Sequence, residues 1–543
     1  MSAPSRDVPW GLRVIEWTTS RFCPQRGLNR LAWHRGGVLA LTYLAYTCYH
    51  MSRKPISVVK NVLNRNCSIL SPPSDLVIND TNADTWCDWA PFNTPDASAL
   101  LGTLDSAFLF AYAAAMFLSG FVAERVNLRY FLALGMLSSG ISCYLFGIAK
   151  PYNIHNLWYF VVVQALGGVF QTSGWPGVVT VVGNWFGRGK RGLIFGVWNS
   201  HTSIGNILGT LIAAKFVETD WSLSFIVPGL LMGFAGFVIF LFLIPHPLDA
   251  GCIPPGPLRY RKLDAANSSD EGSSADEPET NPVGGEDRVT YRPAWRQKDD
   301  PLEVVSVRSE RSPMLSVNRR TQSSSGERAI GFVGAIKIPG VVEYSLALFF
   351  AKLVSYTFLY WLPHYISSTT EYSPSESADL STLFDVGGIA GAIAAGVLSD
   401  WSGMSAVTCA VMLILAVPTL FVYDLVGSSS WTINVILLLA AGSLVNGPYA
   451  LITTAVSAEL GTHPSLGDDS KALATVTAII DGTGSIGAAV GPLLAGFLSR
   501  WKGWHSVFYM LMGADLLALL FLARLVCRDL RIFFQRRITL FSR

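Results

Sequence analysis

Twelve separate runs of about 20 mostly apolar residues constrain this chain more than any other feature. A bilayer core of ~30 Å is crossed by a helix of about 20 residues. The runs lie at 36–60, 99–121, 129–149, 157–182, 192–214, 223–245, 340–367, 378–399, 405–426, 431–458, 473–498 and 504–527. They are too long for barrel strands and do not alternate in polarity. Only 14% of the 543 residues are charged, where soluble chains carry about 25%. The expected fold class is an all-α membrane protein with twelve transmembrane helices in two pseudo-symmetric six-helix bundles. A formal net charge of +2 offers no global attraction to a phosphate backbone. Nucleic acid is therefore not expected as a partner, and the lipid bilayer is.

Two polar stretches interrupt the pattern, and they divide the chain. Residues 1–35 are an Arg-rich N-terminal segment without the apolar core of a cleaved signal, so the first span is expected to act as an uncleaved one. The N-terminal bundle covers 36–245 and contains a polar loop at 61–97. Residues 246–336 are rich in Ser, Glu, Asp, Arg, Pro and Gly, cannot bury a core, and are expected to be a disordered loop. The C-terminal bundle follows at 337–527 and a basic tail at 528–543. Outside the middle loop and Lys337 just after it, one side of the predicted topology collects 18 Lys and Arg and the other 6. By the positive-inside rule both termini and the 246–336 loop are cytoplasmic. The 61–97 loop then faces outside or a lumen. Its sequons at Asn66 and Asn79 are candidate glycosylation sites, and its Cys67 and Cys87 could pair in an oxidising compartment.

The halves echo one another. Ser203-Ile204-Gly205 through Gly209 in span 5 resembles Ser485-Ile486-Gly487 through Gly491 in span 11, and Gly174-Trp175-Pro176 in span 4 has a counterpart in Gly447-Pro448-Tyr449 in span 10. Two similar halves describe a transporter with its site between them near the midplane.

Only Arg53, Lys54 and Lys352 among the 40 Lys and Arg fall in the interior of expected spans. A cation at the bilayer centre costs at least ~2.5–3.5 kcal/mol on insertion scales, and an anionic substrate is the simplest reason to keep three. Arg53 offers a planar fork that matches phosphate oxygens and Lys54 a point charge. Tyr46 and His50 share the face of Arg53, and Pro55 opens the backbone bonding of span 1 one turn back. Lys352 sits on span 7, the symmetry mate of span 1. Interfacial snorkelling of Arg53 and Lys54, or a structural ion pair of Lys352 with Asp385 or Glu343, are the plainer readings. His201, Gln171, Trp175, Asn446 and Tyr449 are candidate contacts to a polar substrate, with interhelical hydrogen bonding as the alternative. Asp385 and Asp481 are candidates for ion pairing or proton coupling, with Asp385 the expected partner of Lys352. Asp105 is expected to cap the start of span 2, and Asp515 to bind neighbouring helices. No Walker loop, HExxH, CxxC pair or GxSxG is present. No metal, cofactor, ATP motor or hydrolase is therefore expected, and the chain reads as no enzyme.

These residues resemble the major facilitator superfamily and, within it, the organophosphate:phosphate antiporters, above all the sugar-phosphate exchangers of solute carrier family 37. The resemblance is carried by Ser52-Arg53-Lys54-Pro55-Ile56-Ser57, Gln171 through Pro176, Gly183 through Phe186, Trp198 through Ser203, Phe384 through Gly388 and Ile480 through Gly484. It covers nearly all of the membrane part and none of the middle loop. It implies the major facilitator fold, exchange of a phosphorylated sugar such as glucose 6-phosphate for inorganic phosphate, and a home in the endoplasmic reticulum membrane. It implies Arg53 as the phosphate ligand. In the family a second cation sits six residues before the Trp of a W-x-P sequence. Trp361-Leu362-Pro363 puts Ser355 there, with Lys352 one turn earlier. His201 falls one position before the family's span 5 His. A luminal phosphatase as partner is implied by the resemblance alone, and homo-oligomerisation is left open. Two other readings stand beside this one: a proton-coupled organic-anion symporter, resting on the intramembrane aspartates, and a transporter-like nutrient receptor signalling through the middle loop.

Overall fold

The computed structural model describes residues 8–22, 30–63, 89–94, 97–186, 197–217, 219–252, 328–329, 331–370, 372, 374–461 and 470–541. Among these, nine helices are long and apolar enough to cross a membrane. They correspond to the expected spans 2 (Ala97–Ala123), 3 (Leu128–Ile148), 6 (Leu223–Phe242), 7 (Val341–Thr369), 8 (Pro374–Ser402), 9 (Ser405–Val426), 10 (Trp431–Leu460), 11 (Leu473–Lys502) and 12 (Trp504–Phe541). The other three expected spans are helical but broken or more polar, and they are the ones that carry most of the candidate site.

Span 1 is two helices, Arg30–Arg53 and Pro55–Leu63, with Lys54 at the break. Pro55 has no N–H, and its ring excludes the carbonyl four residues back, so the first helix stops and the second starts with proline in a favoured first position. Span 4 is Leu157–Gln171 and Gly174–Phe186, parted by two turn residues. Span 5 is described as Ser200–Val217. Span 10 slips into a π turn at Ile452–Val456, one turn after Pro448, a distortion that often marks functional positions.

Glycines at four-residue spacing set the same contact in each half. A Cβ on Gly205 of span 5 would lie 2.5 Å from the Thr47 carbonyl of span 1, and one on Gly209 would lie 2.6 Å from that of Met51. A Cβ on Gly491 of span 11 would lie 2.5 Å from the Leu353 carbonyl of span 7, and Gly487 meets the Phe349 carbonyl in the same way. In lipid, close backbone approach replaces the hydrophobic effect as the force between helices. The repeat seen in sequence is thus a repeat in packing.

Four boundaries differ from the sequence reading. Span 1 continues to Leu63. The loop expected at 246–336 is ordered at its edges, with a 3₁₀ turn at Pro247–Ala250 and a helix at Phe332–Ile336. The two-residue pair of Arg328–Ala329 with Ser470–Lys471 is the one sheet among the described residues of a fold expected to be all α. The basic tail continues the helix of span 12 to Phe541. Asn66, Asn79, Cys67, Cys87 and residues 253–327 lie outside the described residues.

Candidate functional site

Arg53 is the last residue of the first helix of span 1 and is buried, 6% exposed. Its Nε donates to Gln171 Oε1 at 2.5 Å, and Gln171 Nε2 donates to Ser52 Oγ at 3.0 Å. Its Nη1 lies 3.5 Å from the Tyr356 hydroxyl on span 7. The guanidinium faces the Tyr112 ring of span 2, 4.8 Å from its centroid. Nη2 is buried and makes no hydrogen bond. Lys54 donates to the Leu359 carbonyl at 2.8 Å. Neither cation has a carboxylate within ion-pair distance among the described residues. A buried charge without a counter-ion is the arrangement proteins avoid most.

Lys352, about two fifths of the way along span 7, is 2% exposed. It is paired with Asp481 of span 11 at 2.5 Å and also donates to Ser485 Oγ at 3.2 Å. The Tyr112 hydroxyl, from the other half, donates to the second oxygen of Asp481 at 3.2 Å. The ammonium also sits 5.8 Å from the Tyr356 ring centroid and 5.6 Å from that of Tyr449. Tyr356 therefore stands between the two halves' cations, with its hydroxyl toward Arg53 and its ring toward Lys352. The expected pair of Lys352 with Asp385 is not formed. Asp385 instead accepts from Asn206 Nδ2 at 2.9 Å, and Asn206 Oδ1 lies 3.1 Å from His50 Nδ1. The reason is register: Asp481 lies one turn before Ser485 on the helix that its glycines press against span 7.

Tyr46 holds an aromatic group together. Its ring centroid is 4.9 Å from that of Trp175, 4.8 Å from His201 and 5.2 Å from His50. Trp175 Nε1, His201 Nε2 and His50 Nε2 are buried without hydrogen-bond partners. Asn446 accepts from Ser355 Oγ at 2.6 Å, so the position to which the resemblance assigns a second cation bonds an amide here.

The centre is assembled but shut. One cavity of about 20 Å³ lies beside Arg53 and is lined by Ser52, Ser139, Ser142 and Gln171. Another of about 20 Å³ lies among His50, Asn206, Ser355, Asp385 and Asn446. Each has room for one water and is too small for a sugar phosphate. At the end bearing the described termini, the Thr475 amide donates to Glu124 Oε1 at 3.0 Å. The carboxylate so placed favours the amino end of span 11. A Cβ on Gly120 there would lie 2.8 Å from the Ala474 carbonyl. At the opposite end Lys60 pairs with Asp105 and lies 5.6 and 5.5 Å from the Tyr360 and Trp361 centroids. Asp105 is thus an ion-pair partner and not the helix cap expected from sequence. Asp515 is fully buried in span 12 with no hydrogen bond to either oxygen.

The structure places Arg53, Lys54, His50, Tyr46, Gln171, Trp175, His201, Lys352, Asn446, Tyr449, Asp385 and Asp481 in one connected centre. Gln171 steadies Arg53 and so has its amide oxygen already engaged. Sequence reasoning missed Tyr112, Tyr356 and Asn206. Asn206 carried a signal: it is the amide inside the Gly205–Gly209 packing stripe. Tyr112 and Tyr356 carried none that separates them from the other tyrosines of the spans.

A family model described as Major Facilitator Superfamily matches residues 44–465. The chain is 53% identical over 509 residues to the human "Glucose-6-phosphate exchanger SLC37A2", covering 93% of this chain and 94% of the relative. It is 52% identical over 511 residues to the mouse protein of that name, covering 93% and 94%. It is 47% identical over 521 residues to the human "Glucose-6-phosphate exchanger SLC37A1", covering 92% and 94%. The solved structure of the human organic anion transporter MFSD10 superposes with a TM-score of 0.57 at 15% identity, covering 90% of this chain and 99% of that one, a likeness of fold.

Proposed function

The chain belongs to the major facilitator superfamily and, within it, to the sugar-phosphate exchangers of solute carrier family 37, and from that premise we propose that it exchanges glucose 6-phosphate for inorganic phosphate. It is a multi-pass membrane transporter. The single observation that carries the substrate class is Arg53: a buried cation on a broken helix, without a carboxylate and with Nη2 unused. A phosphate group carries between one and two negative charges near neutral pH and three acceptor oxygens, which is what that fork lacks. Lys54 adds a second charge. The unpartnered nitrogens of Trp175, His201 and His50 line the neighbouring aromatic group and suit sugar hydroxyls.

The mechanism follows from the charges. Closing the empty site leaves Arg53 and Lys54 unpaired in a dry interior, which costs several kcal/mol. Bound phosphate offsets that cost, whether it is free or carried on the sugar. The loaded carrier therefore passes through the closed state and the empty one is held back, so exchange is coupled. Lys352 acts second, because Asp481 already neutralises it. The Tyr112 hydroxyl on Asp481 and the Tyr356 hydroxyl facing Arg53 are placed to turn toward a bound phosphate. In this reading the carrier resides in the endoplasmic reticulum membrane with both termini cytoplasmic, as the basic residues expect, and it works on its substrate without covalent chemistry.

The test is exchange in proteoliposomes of the full chain loaded with phosphate, with labelled glucose 6-phosphate outside. Uptake that requires internal phosphate and is lost in Arg53→Ala supports the proposal. Uptake driven by a pH gradient without internal phosphate would replace it with proton symport.

A further inference from the structure

The N-terminal helix Trp10–Phe22 is not used by the exchange mechanism. Trp10, Val14, Trp17 and Arg21 follow one another at three- and four-residue steps and share one side of it with Arg13. That side faces outward: Trp10 is 69%, Trp17 66% and Val14 40% exposed, and both arginines are exposed. The helix is fastened to the bundle by its other side. A Cβ on Gly11 would meet the Phe242 ring and lie 2.8 Å from the Leu241 carbonyl, at the end of span 6. The docked helix therefore stands at the border of the membrane-crossing part.

Beside it lies a cleft of about 280 Å³. Leu12 and Ile15 of the helix, Gly36, Gly37 and Leu41 of span 1, and Phe242 of span 6 form its walls. A side chain at Gly36 or Gly37 would meet nothing within 4 Å, so this wall is bare backbone. Trp33, 60% exposed, stands at its edge. Tryptophans concentrate where bilayer meets water, and arginines near them attract acidic headgroups. The surrounding segment 1–35 holds six arginines against two carboxylates. An apolar cleft edged by Trp33, next to a helix whose outward side carries Arg13 and Arg21, matches a molecule with an acyl chain and a negative head.

We propose that the helix Trp10–Phe22 and the cleft beside it form a binding site for an anionic phospholipid, which the exposed arginines select by charge and the cleft receives by its chain. The site is independent of the exchange centre. The lipid would tie the start of span 1, the helix that carries Arg53, to the leaflet.

The test is native mass spectrometry of the full chain in detergent, titrated with phosphatidylserine and with phosphatidylcholine of the same chains. The wild type should retain phosphatidylserine in preference. Arg13→Gln with Arg21→Gln should weaken that retention roughly tenfold or more and leave phosphatidylcholine unchanged, and Arg13→Lys with Arg21→Lys should restore it. Trp10→Ser with Trp17→Ser should lower retention of both lipids. Equal retention of the two lipids by the wild type, or no change in the glutamine variant, would overturn the proposal. A dimer lost in the serine variant with no lipid bound would replace it with a second copy of the chain as occupant. Each result is read without transport, so it stands apart from the fate of the exchange reading.

Discussion

Spans 1 and 7 occupy equivalent places in the two halves, and each is pressed by a glycine-lined partner, span 5 or span 11. Their electrostatics are opposite. Span 1 presents Arg53 and Lys54 with no carboxylate at ion-pair distance among the described residues, Arg53 bonding an amide and Lys54 a backbone carbonyl, with Asp385 acting on Lys54 only at longer range. Span 7 presents Lys352 already held by Asp481. The scaffold was duplicated, and the charge was not. One half buries a cation that no carboxylate contacts among the described residues, and the other carries its own anion. The lesson is that a buried cation in a span indicates substrate only when its counter-ion is missing, and only the structure reveals which cations are in that state.

Removing the cation from the open half should have the largest effect. Arg53→Gln should weaken glucose 6-phosphate binding at least about thirtyfold, since truncating one side of a buried charge-assisted contact costs about 2–5 kcal/mol or more. Calorimetric titration of the purified variant reads this directly. In the other half, Asp481→Asn strips Lys352 of its partner and should destabilise the fold by about 3–5 kcal/mol. Added phosphate should return part of that loss, because it supplies a new anion. Thermal unfolding with and without phosphate checks the pair of effects, and a variant as stable as wild type would mean the pair is not what keeps Lys352 buried.

The packing comparison is sharpened next. Gly205→Ala and Gly491→Ala should each cost about 1–3 kcal/mol by overpacking, as falls in unfolding temperature of similar size. A loss in only one half would show that the repeat is one of sequence alone. The smallest effect belongs to Gln171→Ala. It leaves the Arg53 charge but frees its fork, and should cost about 0.5–1.5 kcal/mol of binding for one lost hydrogen bond. Transport assayed over a substrate series should show a raised half-saturation with little change in maximal rate.

Much of this was legible beforehand. Apolar runs located the spans, since the bilayer imposes length, and Ser405–Val426 agrees with its predicted limits at both ends. Arg53 was legible because a cation in a span is rare. The glycine repeat correctly announced matching helix contacts. What stayed hidden depends on rotation about helix axes. Lys352 chose Asp481 over Asp385 because span 11, not span 8, presents a carboxylate to it. Tyr112 and Tyr356 gained their importance only when the two halves met across Arg53. Gln171 looked like a substrate contact because a lone amide does not declare its partner. Asp105 looked like a cap because its ion pair reaches from Lys60, at the end of span 1, a contact that sequence spacing does not announce.

The most direct test of the central claim compares charge removed from each half in a balanced way. Lys352→Gln combined with Asp481→Asn deletes the neutralised pair without leaving a charge behind, and Arg53→Gln deletes the open cation alone. In phosphate-loaded proteoliposomes the account predicts that the pair variant keeps glucose 6-phosphate exchange within roughly tenfold of wild type, while Arg53→Gln shows none. Equal loss in both, or exchange surviving in Arg53→Gln, would contradict it.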